Sequence, residues 1–285
     1  MSTTQLHQVS VDLPLTAMHQ AMPDEVGRKS RGKPWTNFME VCELLHIPFS
    51  VSIVGKDLLF QHVQFRAGQR IHTVGQQFVS LFIVISGFLK TVSIDDLGYE
   101  QVLDFPMKGD VFGADSISTK RYSSETVALS DCSLIMLPFH NLVALSHAHV
   151  ELENVICDIF GRELLRKQAM LDMLSAPNAE AKVARFLISL SERYSESGYS
   201  KTEFNLRMTR RDIGNYLGLS FETVSRTLSA LNEAGLISVD QRAIWIKEPD
   251  MLKRFCRIPS CGLQARQDRS GITGWPRSAP GLLVN

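Results

Sequence analysis

The chain has 285 residues, 44% of them hydrophobic and 21% charged, enough apolar content to bury an ordinary core in one large domain or two smaller ones. Thirty basic side chains balance thirty acidic ones, so net charge speaks neither for nor against nucleic acid and local distribution has to decide. No apolar run reaches the roughly 18 residues that a bilayer-spanning helix needs, and the N-terminus lacks the basic and apolar regions of a secretory signal; the expected compartment is the cytoplasm, with no membrane partner. The five cysteines, Cys42, Cys132, Cys157, Cys256 and Cys261, are scattered and include no CxxC pair. That pattern fits reduced thiols rather than a disulfide frame or a structural zinc site.

Taken in chain order, residues 1–36 are polar, with Pro14, Pro23 and a basic patch of Arg28, Lys29, Arg31 and Lys33; a mobile leader is expected. From about Lys56 to Pro138 the texture changes to short β-rich runs, HVQFRAG, RIHTVG, LFIVISGFLKTVSI, EQVLDFP, TVALS and SLIMLP, with glycines from Gly68 to Gly113 between them. Strands of that length and spacing predict an antiparallel sandwich or barrel. Nothing alternates in a βαβ manner, which disfavours a parallel nucleotide-binding fold.

From about Asn141 the pattern turns helical. Cys157, Phe160, Leu164, Lys167, Leu171 and Leu174 recur at steps of three and four, the spacing of a coiled-coil seam. A dimer seam is the expectation, the alternative being a helix packed on its own domain. Lys167 would face its own copy in a parallel seam, where like charges weaken association, unless its stem carries the amine to solvent. Ser175-Ala176-Pro177 ends the helix, and Asn178 caps the next, which runs through about Tyr194.

The stretch MTRRDIGNYLGLSFETVSRTLSAL, Met208 to Leu231, then carries two short helices. Thr209 caps the first, with Asp212 as the acidic partner of a capping box. Ile213, Tyr216 and Leu217 form its apolar face, and Gly218 supplies the left-handed exit. Ser220 caps the second, whose inner face is Val224, Leu228 and Leu231. A helix-turn-helix is predicted, followed by two strands, GLISVD and AIWIKEP, around a wing tip at Gln241-Arg242. Local charge is positive: Arg207, Arg210, Arg211 and Arg226 against Asp212 and Glu222, four minus two. Glu222, Thr223, Ser225 and Arg226 crowd the start of the second helix, a polar set of little use in a core and placed where a recognition helix enters the major groove.

MTRRDIGNYLGLSFETVSRTLSALNEAGLI resembles the DNA-binding helix-turn-helix of the CRP/FNR family of bacterial transcription regulators, nearest the FNR branch with its E-x-x-S-R recognition helix. NAEAKVARFLISLSERY resembles the helix that follows the family's dimer coil, and FRAGQRI, ISGFLKTV and KGDVFGADSI resemble its sensor β-roll. The resemblance covers roughly His46 to Arg254. It implies that Glu222, Ser225 and Arg226 read base edges, a carboxylate accepting from cytosine N4 and a guanidinium forking onto guanine. Thr209, Arg210, Arg211 and Thr223 would hold phosphates, which fix register without reading sequence. Phe221 stands where the CRP branch has a further Arg, so the implied half-site is of TTGAT type, inverted in a palindrome.

At the sensor end the chain departs from both well-known branches. The cyclic-nucleotide branch grips its ligand with Gly-Glu and Arg-Ser; here Gly109-Asp110 and Ser123-Ser124 stand in those places, with Arg121 two residues early. The resemblance therefore disfavours a cyclic nucleotide. The FNR iron–sulfur cluster needs four thiolates. The matching segment VCELLHIPF offers Cys42 alone and has His46 at the last cluster position, while Ile135 stands where the β-roll cysteine belongs, three residues from Cys132. An iron–sulfur cluster is disfavoured as well, and the effector is left open. Cys42 and Cys132 are candidates for redox-active thiols or simply packing residues. His46, His72, His140, His147 and His149 are haem-ligand candidates by residue type alone, a surface or loop histidine being the expectation for each.

The expectation is thus an α+β protein: leader 1–36, β-roll sensor 37–147, dimerisation helix 148–176, winged helix-turn-helix 177–254 and disordered tail 255–285. Its expected role is that of a homodimeric activator on a TTGAT-N4-ATCAA palindrome, with double-stranded DNA and RNA polymerase as partners and Ser93–Gly98 as a candidate polymerase-contact loop. A cyclic-nucleotide-responsive regulator, or an effector-independent one controlled by abundance, are the alternatives. A cyclic-nucleotide module without DNA binding is opposed by the intact recognition helix, and no HExxH, GxSxG or P-loop pattern supports an enzyme.

Overall fold

The computed structural model describes residues 28–29, 35–46, 59–146 and 150–255, in two compact units that divide between Leu165 and Arg166. The tail expected over 255–285 lies outside the described residues except at Phe255, as does most of the leader.

The first unit is β1 (Arg28–Lys29), β2 (Trp35–Asn37), α1 (Phe38–Leu44), β3 (Leu59–Phe65), β4 (Arg70–His72), β5 (Ser80–Ser86), β6 (Leu89–Ile94), β7 (Glu100–Asp104), β8 (Val111–Phe112), β9 (Glu125–Ala128), β10 (Cys132–Pro138), α2 (Phe139–Ser146) and the first part of α3 (Val150–Leu174). All strand pairs are antiparallel. One sheet runs β1-β3-β10-β5-β8, with β2 also on β3; the other runs β4-β9-β6-β7. Branched and aromatic side chains fill the core, among them Phe60, Val63 and Phe65 of β3, Leu134, Ile135 and Leu137 of β10, and the continuous run Leu81–Val84 of β5, a strand buried on both faces. Val155 and Ile159 bring one face of α3 into the same core.

One expectation changes here. The leader does not stay apart up to residue 36: Arg28–Lys29 pairs with Val63–Gln64, and Trp35–Asn37 pairs with Leu59–Gln61. Both use backbone groups of β3 that β10 does not reach, and Thr36 is buried. Asn37 then caps α1 by accepting from the Glu40 amide. The run KGDVFGADSI carries the short strand Val111–Phe112, which pairs with Phe82–Ile83 of β5.

α3 is a continuous helix of 25 residues. The side chains buried on its N-terminal half, Val155 and Ile159, are not those of the expected seam. Of the seam positions, Cys157 and Lys167 are exposed, Leu164 and Leu171 are 71% and 65% exposed, and Phe160 and Leu174 are half-buried. Leu165, beside Leu164, is exposed too.

The second unit continues through α4 (Ala179–Glu196), β11 (Glu203–Asn205), α5 (Arg210–Leu217), α6 (Phe221–Glu233), β12 (Ile237–Asp240), β13 (Ala243–Ile246) and α7 (Pro249–Phe255). Asn178 caps α4 by accepting from the Ala181 amide. The wing is a three-stranded sheet in the order β11-β13-β12. β11 was not anticipated, because three residues are too few to display an alternation. The tip is the two-residue Gln241–Arg242 turn, with Gln241 at φ 49.

Candidate nucleic-acid interface

The helix pair is built by local rules. The Thr209 hydroxyl accepts from the Asp212 amide at 3.1 Å, while Asp212 Oδ2 accepts from the Thr209 amide at 2.9 Å, a complete capping box. Gly218 ends α5 at φ 64, ψ 43, a left-handed conformation that costs glycine least. Ser220 restarts the chain by accepting from the Thr223 amide at 3.1 Å. Gly214 has a second reason: a Cβ there would lie 2.6 Å from the Leu219 carbonyl oxygen, so the turn folds tightly against α5. The Leu219 amide donates to the Gly214 carbonyl at 2.8 Å.

Beneath this pair, Ile213, Tyr216 and Leu217 of α5 and Val224, Leu228 and Leu231 of α6 are buried. Phe186 of α4 meets Tyr216 edge-on at 5.9 Å between centroids. Lys182 of α4 donates through Nζ to the Leu217 carbonyl at 3.2 Å; a cation at a helix C-terminus is favoured by the dipole. The buried half of α6 is therefore fixed from several sides, which holds its outer half rigid.

On that outer half Glu222 and Arg226 are exposed and four residues apart, one above the other on a single stripe. The Glu222 carboxyl is held below the usual carboxylate range by its own backbone amide, then by the Ser220 hydroxyl, with Arg226 and Arg211 adding positive charge. It is an anion at neutral pH, as an acceptor for an amine donor must be. Arg211 is exposed and Arg210 half-buried at the start of α5.

Three of the expected side chains sit differently. Ser225 is half-buried, and its hydroxyl oxygen is covered without a hydrogen-bond partner; its place beside Val224, on the margin between the inner and outer faces, is the reason. A base contact from Ser225 requires a χ1 rotation to another staggered position. The Thr209 hydroxyl donates to Asp212 Oδ2 at 2.6 Å, and the Thr223 hydroxyl lies 3.0 Å from that of Ser220. Both threonine hydroxyls are engaged at helix caps, and the guanidinium groups of Arg210 and Arg211 stand at the start of α5.

The residues at the expected sensor positions are engaged within the β-roll. Asp110 Oδ2 accepts from the Met107 amide at 2.8 Å and closes a turn. The Ser123 and Ser124 hydroxyls donate to Asp115 Oδ2 at 2.8 and 3.1 Å, and the Ser116 hydroxyl donates to Asp115 Oδ1 at 3.2 Å. Arg121 donates to the Gly75 carbonyl at 2.8 Å. A carboxylate thus sits among the hydroxyls where a phosphodiester would need donors, and like charges repel; these residues do not fit a cyclic nucleotide.

Cys42 and Cys132 belong to the hydrophobic cluster, and burial pushes their thiols up to about 11 and about 12. A protonated, covered thiol is a poor nucleophile and metal ligand, and both side chains pack within the core. Among the described residues no group of three or more His, Cys, Asp and Glu side chains comes together to hold a metal, and the described cysteines Cys42, Cys132 and Cys157 fall short of a four-thiolate cluster. His72 is a core residue, stacked on Tyr122 at 4.0 Å with Nδ1 3.0 Å from the Ser124 carbonyl; burial lowers its pKa to about 4. His46 and His140 are exposed, while His147 and His149 lie outside the described residues.

Comparison with known proteins agrees with this layout. Residues 181–255 match the Crp-like helix-turn-helix domain and residues 62–149 the cyclic nucleotide-binding domain. The chain is 35% identical over 233 residues to the anaerobic regulatory protein of Pasteurella multocida, covering 80% of this chain and 85% of that one. It is 35% identical over 206 residues to the transcriptional activator protein anr of Pseudomonas aeruginosa, covering 71% and 84%. Among solved structures it is similar to FixK2 from Bradyrhizobium japonicum, with a TM-score of 0.64 and 26% identity over 70% of this chain and 98% of that one. With an N-terminal β-sheet domain, a C-terminal helix-turn-helix and these relatives, the chain belongs to the CRP/FNR family and is a DNA-binding transcription regulator, not an enzyme.

Proposed function

We propose that the protein acts in the cytoplasm as a homodimeric activator that binds a TTGAT-N4-ATCAA palindrome and contacts RNA polymerase. The observation that carries the reading is the outer stripe of α6, where an ionised Glu222 and Arg226 stand exposed above a buried, multiply anchored inner face. A carboxylate and a guanidinium at that spacing suit a C·G and a G·C pair, and Phe221 takes away the arginine of the CRP-type site. Thr223 and Thr209 support this surface as caps, and Arg210 and Arg211 supply phosphate contacts.

Dimerisation is supported by α3. Leu164, Leu165 and Leu171 expose 71%, 66% and 65% of their surface in the single chain, an apolar stripe that a second copy would cover. Cys157, Phe160, Lys167 and Leu174 complete the seam, Lys167 being exposed in the single chain. Activation is supported by the similarity to the transcriptional activator protein anr of Pseudomonas aeruginosa. The β6–β7 hairpin, where Leu97 is 82% exposed and Asp95 Oδ1 accepts from the Leu97 and Tyr99 amides, is the candidate polymerase surface over Ser93–Gly98.

A titration of the palindrome with protein tests the arrangement. Two chains per duplex are expected, and lengthening the spacer from four to seven base pairs should abolish the two-chain complex, because the half-sites then face different sides of the duplex. One chain per duplex, or indifference to the spacer, overturns the dimeric reading.

A further inference from the structure

The base-reading surface contains a side chain that neither hydrogen bonding nor the fold accounts for. Phe221 is the first residue of α6 and is 48% exposed. It contributes nothing to the buried face, which is Val224, Thr227, Leu228 and Leu231. Nor does it occupy the hydrophobic-staple register around the Ser220 cap, whose positions are Leu219 and Val224. Among described residues 177–255, Tyr199 is the other large hydrophobic side chain this exposed, and it lies away from α6 in the turn after α4.

Phe221 and Ser225 are four residues apart and form a row beside that of Glu222 and Arg226. Side chains on a helix lean toward its N-terminus, so the phenyl ring overhangs the leading end of α6, the end a recognition helix presents to the base edges. A phenyl group can neither donate nor accept a hydrogen bond, so it is blind to the donor and acceptor code of the groove. The one apolar group in that code is the C5-methyl of thymine.

We propose that Phe221 is a specificity-determining residue that reads a thymine C5-methyl in each half-site. The inference rests on the proposed docking of α6 in the major groove. It gives the polar pair Glu222 and Arg226 an apolar neighbour, so that the first two turns of α6 distinguish C·G, G·C and T·A pairs by different chemistry. The residue that separates this surface from a CRP-type one is then an active reader and not merely a missing arginine.

Replacing thymine by deoxyuridine removes the methyl and leaves every hydrogen bond intact. Each thymine of the palindrome is replaced in turn, symmetrically in both half-sites, and binding is measured by fluorescence anisotropy at fixed salt. For the wild-type protein one position should weaken binding by roughly fourfold per half-site, the scale set by one buried methyl, and the others should change little. Phe221→Ala should bind the thymine duplex correspondingly less well and be indifferent to the swap at that position. Thermal unfolding should show this variant folded, since the residue is exposed. If Phe221→Ala retains the wild-type sensitivity at every thymine, or if the wild type is indifferent at all of them, the proposal is overturned. Equal weakening of Phe221→Ala on thymine and deoxyuridine duplexes alike, with the wild-type ratio preserved, also overturns it. Failure of the underlying reading looks different, because the wild type would then not distinguish the palindrome from a scrambled duplex.

Discussion

The outer face of α6 and the Asp115 corner of the β-roll both gather charged and hydroxyl side chains, and they use them in opposite ways. On α6, Glu222 and Arg226 point to solvent over an inner face that the rest of the unit holds still. In the β-roll, Asp115 collects the hydroxyls of Ser116, Ser123 and Ser124, and Arg121 and Asp110 are bound to backbone. One surface leaves its charged groups open to solvent, whereas the other has its polar groups satisfied from within. Homologous architecture therefore does not carry the ligand with it: the cyclic-nucleotide-binding fold is present and the chemistry for the nucleotide is not.

Substitutions that leave stability intact while changing DNA binding belong to the first kind of surface, and the comparison can be broken or sharpened on that basis. The largest effect is expected from the α3 stripe. Leu164→Glu combined with Leu171→Glu removes four leucines from the proposed dimer, each worth roughly 1.5–3 kcal/mol when buried. Sedimentation should show the dimer constant weakened at least a hundredfold, with unfolding of each chain little changed. Next is Glu222→Ala, which should relax discrimination at one base pair by roughly 5- to 150-fold in a competition assay over single-base variants. Equal weakening on all sequences would place Glu222 outside base reading. Arg211→Ala should weaken every sequence alike and lower the salt slope of log K by about one unit.

A smaller effect is expected of Thr209→Ala. Its hydroxyl serves the capping box, so the change should cost about 1 kcal/mol of stability in thermal unfolding while leaving base preference unaltered. Last, added cyclic AMP should leave DNA affinity within about twofold, because Asp115 already holds the hydroxyls a phosphate would need; a tenfold rise would break the contrast between the two regions.

What was legible in the sequence follows the same division. Thr209, Gly218 and Ser220 act through neighbours within four residues, so their roles can be read from spacing alone, and the α3 stripe is visible because its period repeats over many turns. The features that escaped were set by distant partners or lay in very short elements. The Lys182 bond to the Leu217 carbonyl joins residues 35 apart, and Gly214 looks like any mid-helix glycine until the Leu219 carbonyl is placed against it. Arg28–Lys29 and Val111–Phe112 are strands only because Val63–Gln64 and Phe82–Ile83 present open backbone to them. The covered Ser225 hydroxyl could not be inferred from E-x-x-S-R, since periodicity places a marginal residue on either face.

The central claim is that the outer face of α6 reads a specific palindrome. Anisotropy titrations of the TTGAT-N4-ATCAA duplex and of a scrambled duplex of the same composition, at one physiological salt concentration, test it directly. The account predicts that the palindrome binds at least about a thousandfold more tightly, and that the ratio falls when Glu222 or Arg226 is replaced by Ala. Equal affinity for the two duplexes, in air and without oxygen alike, would contradict it.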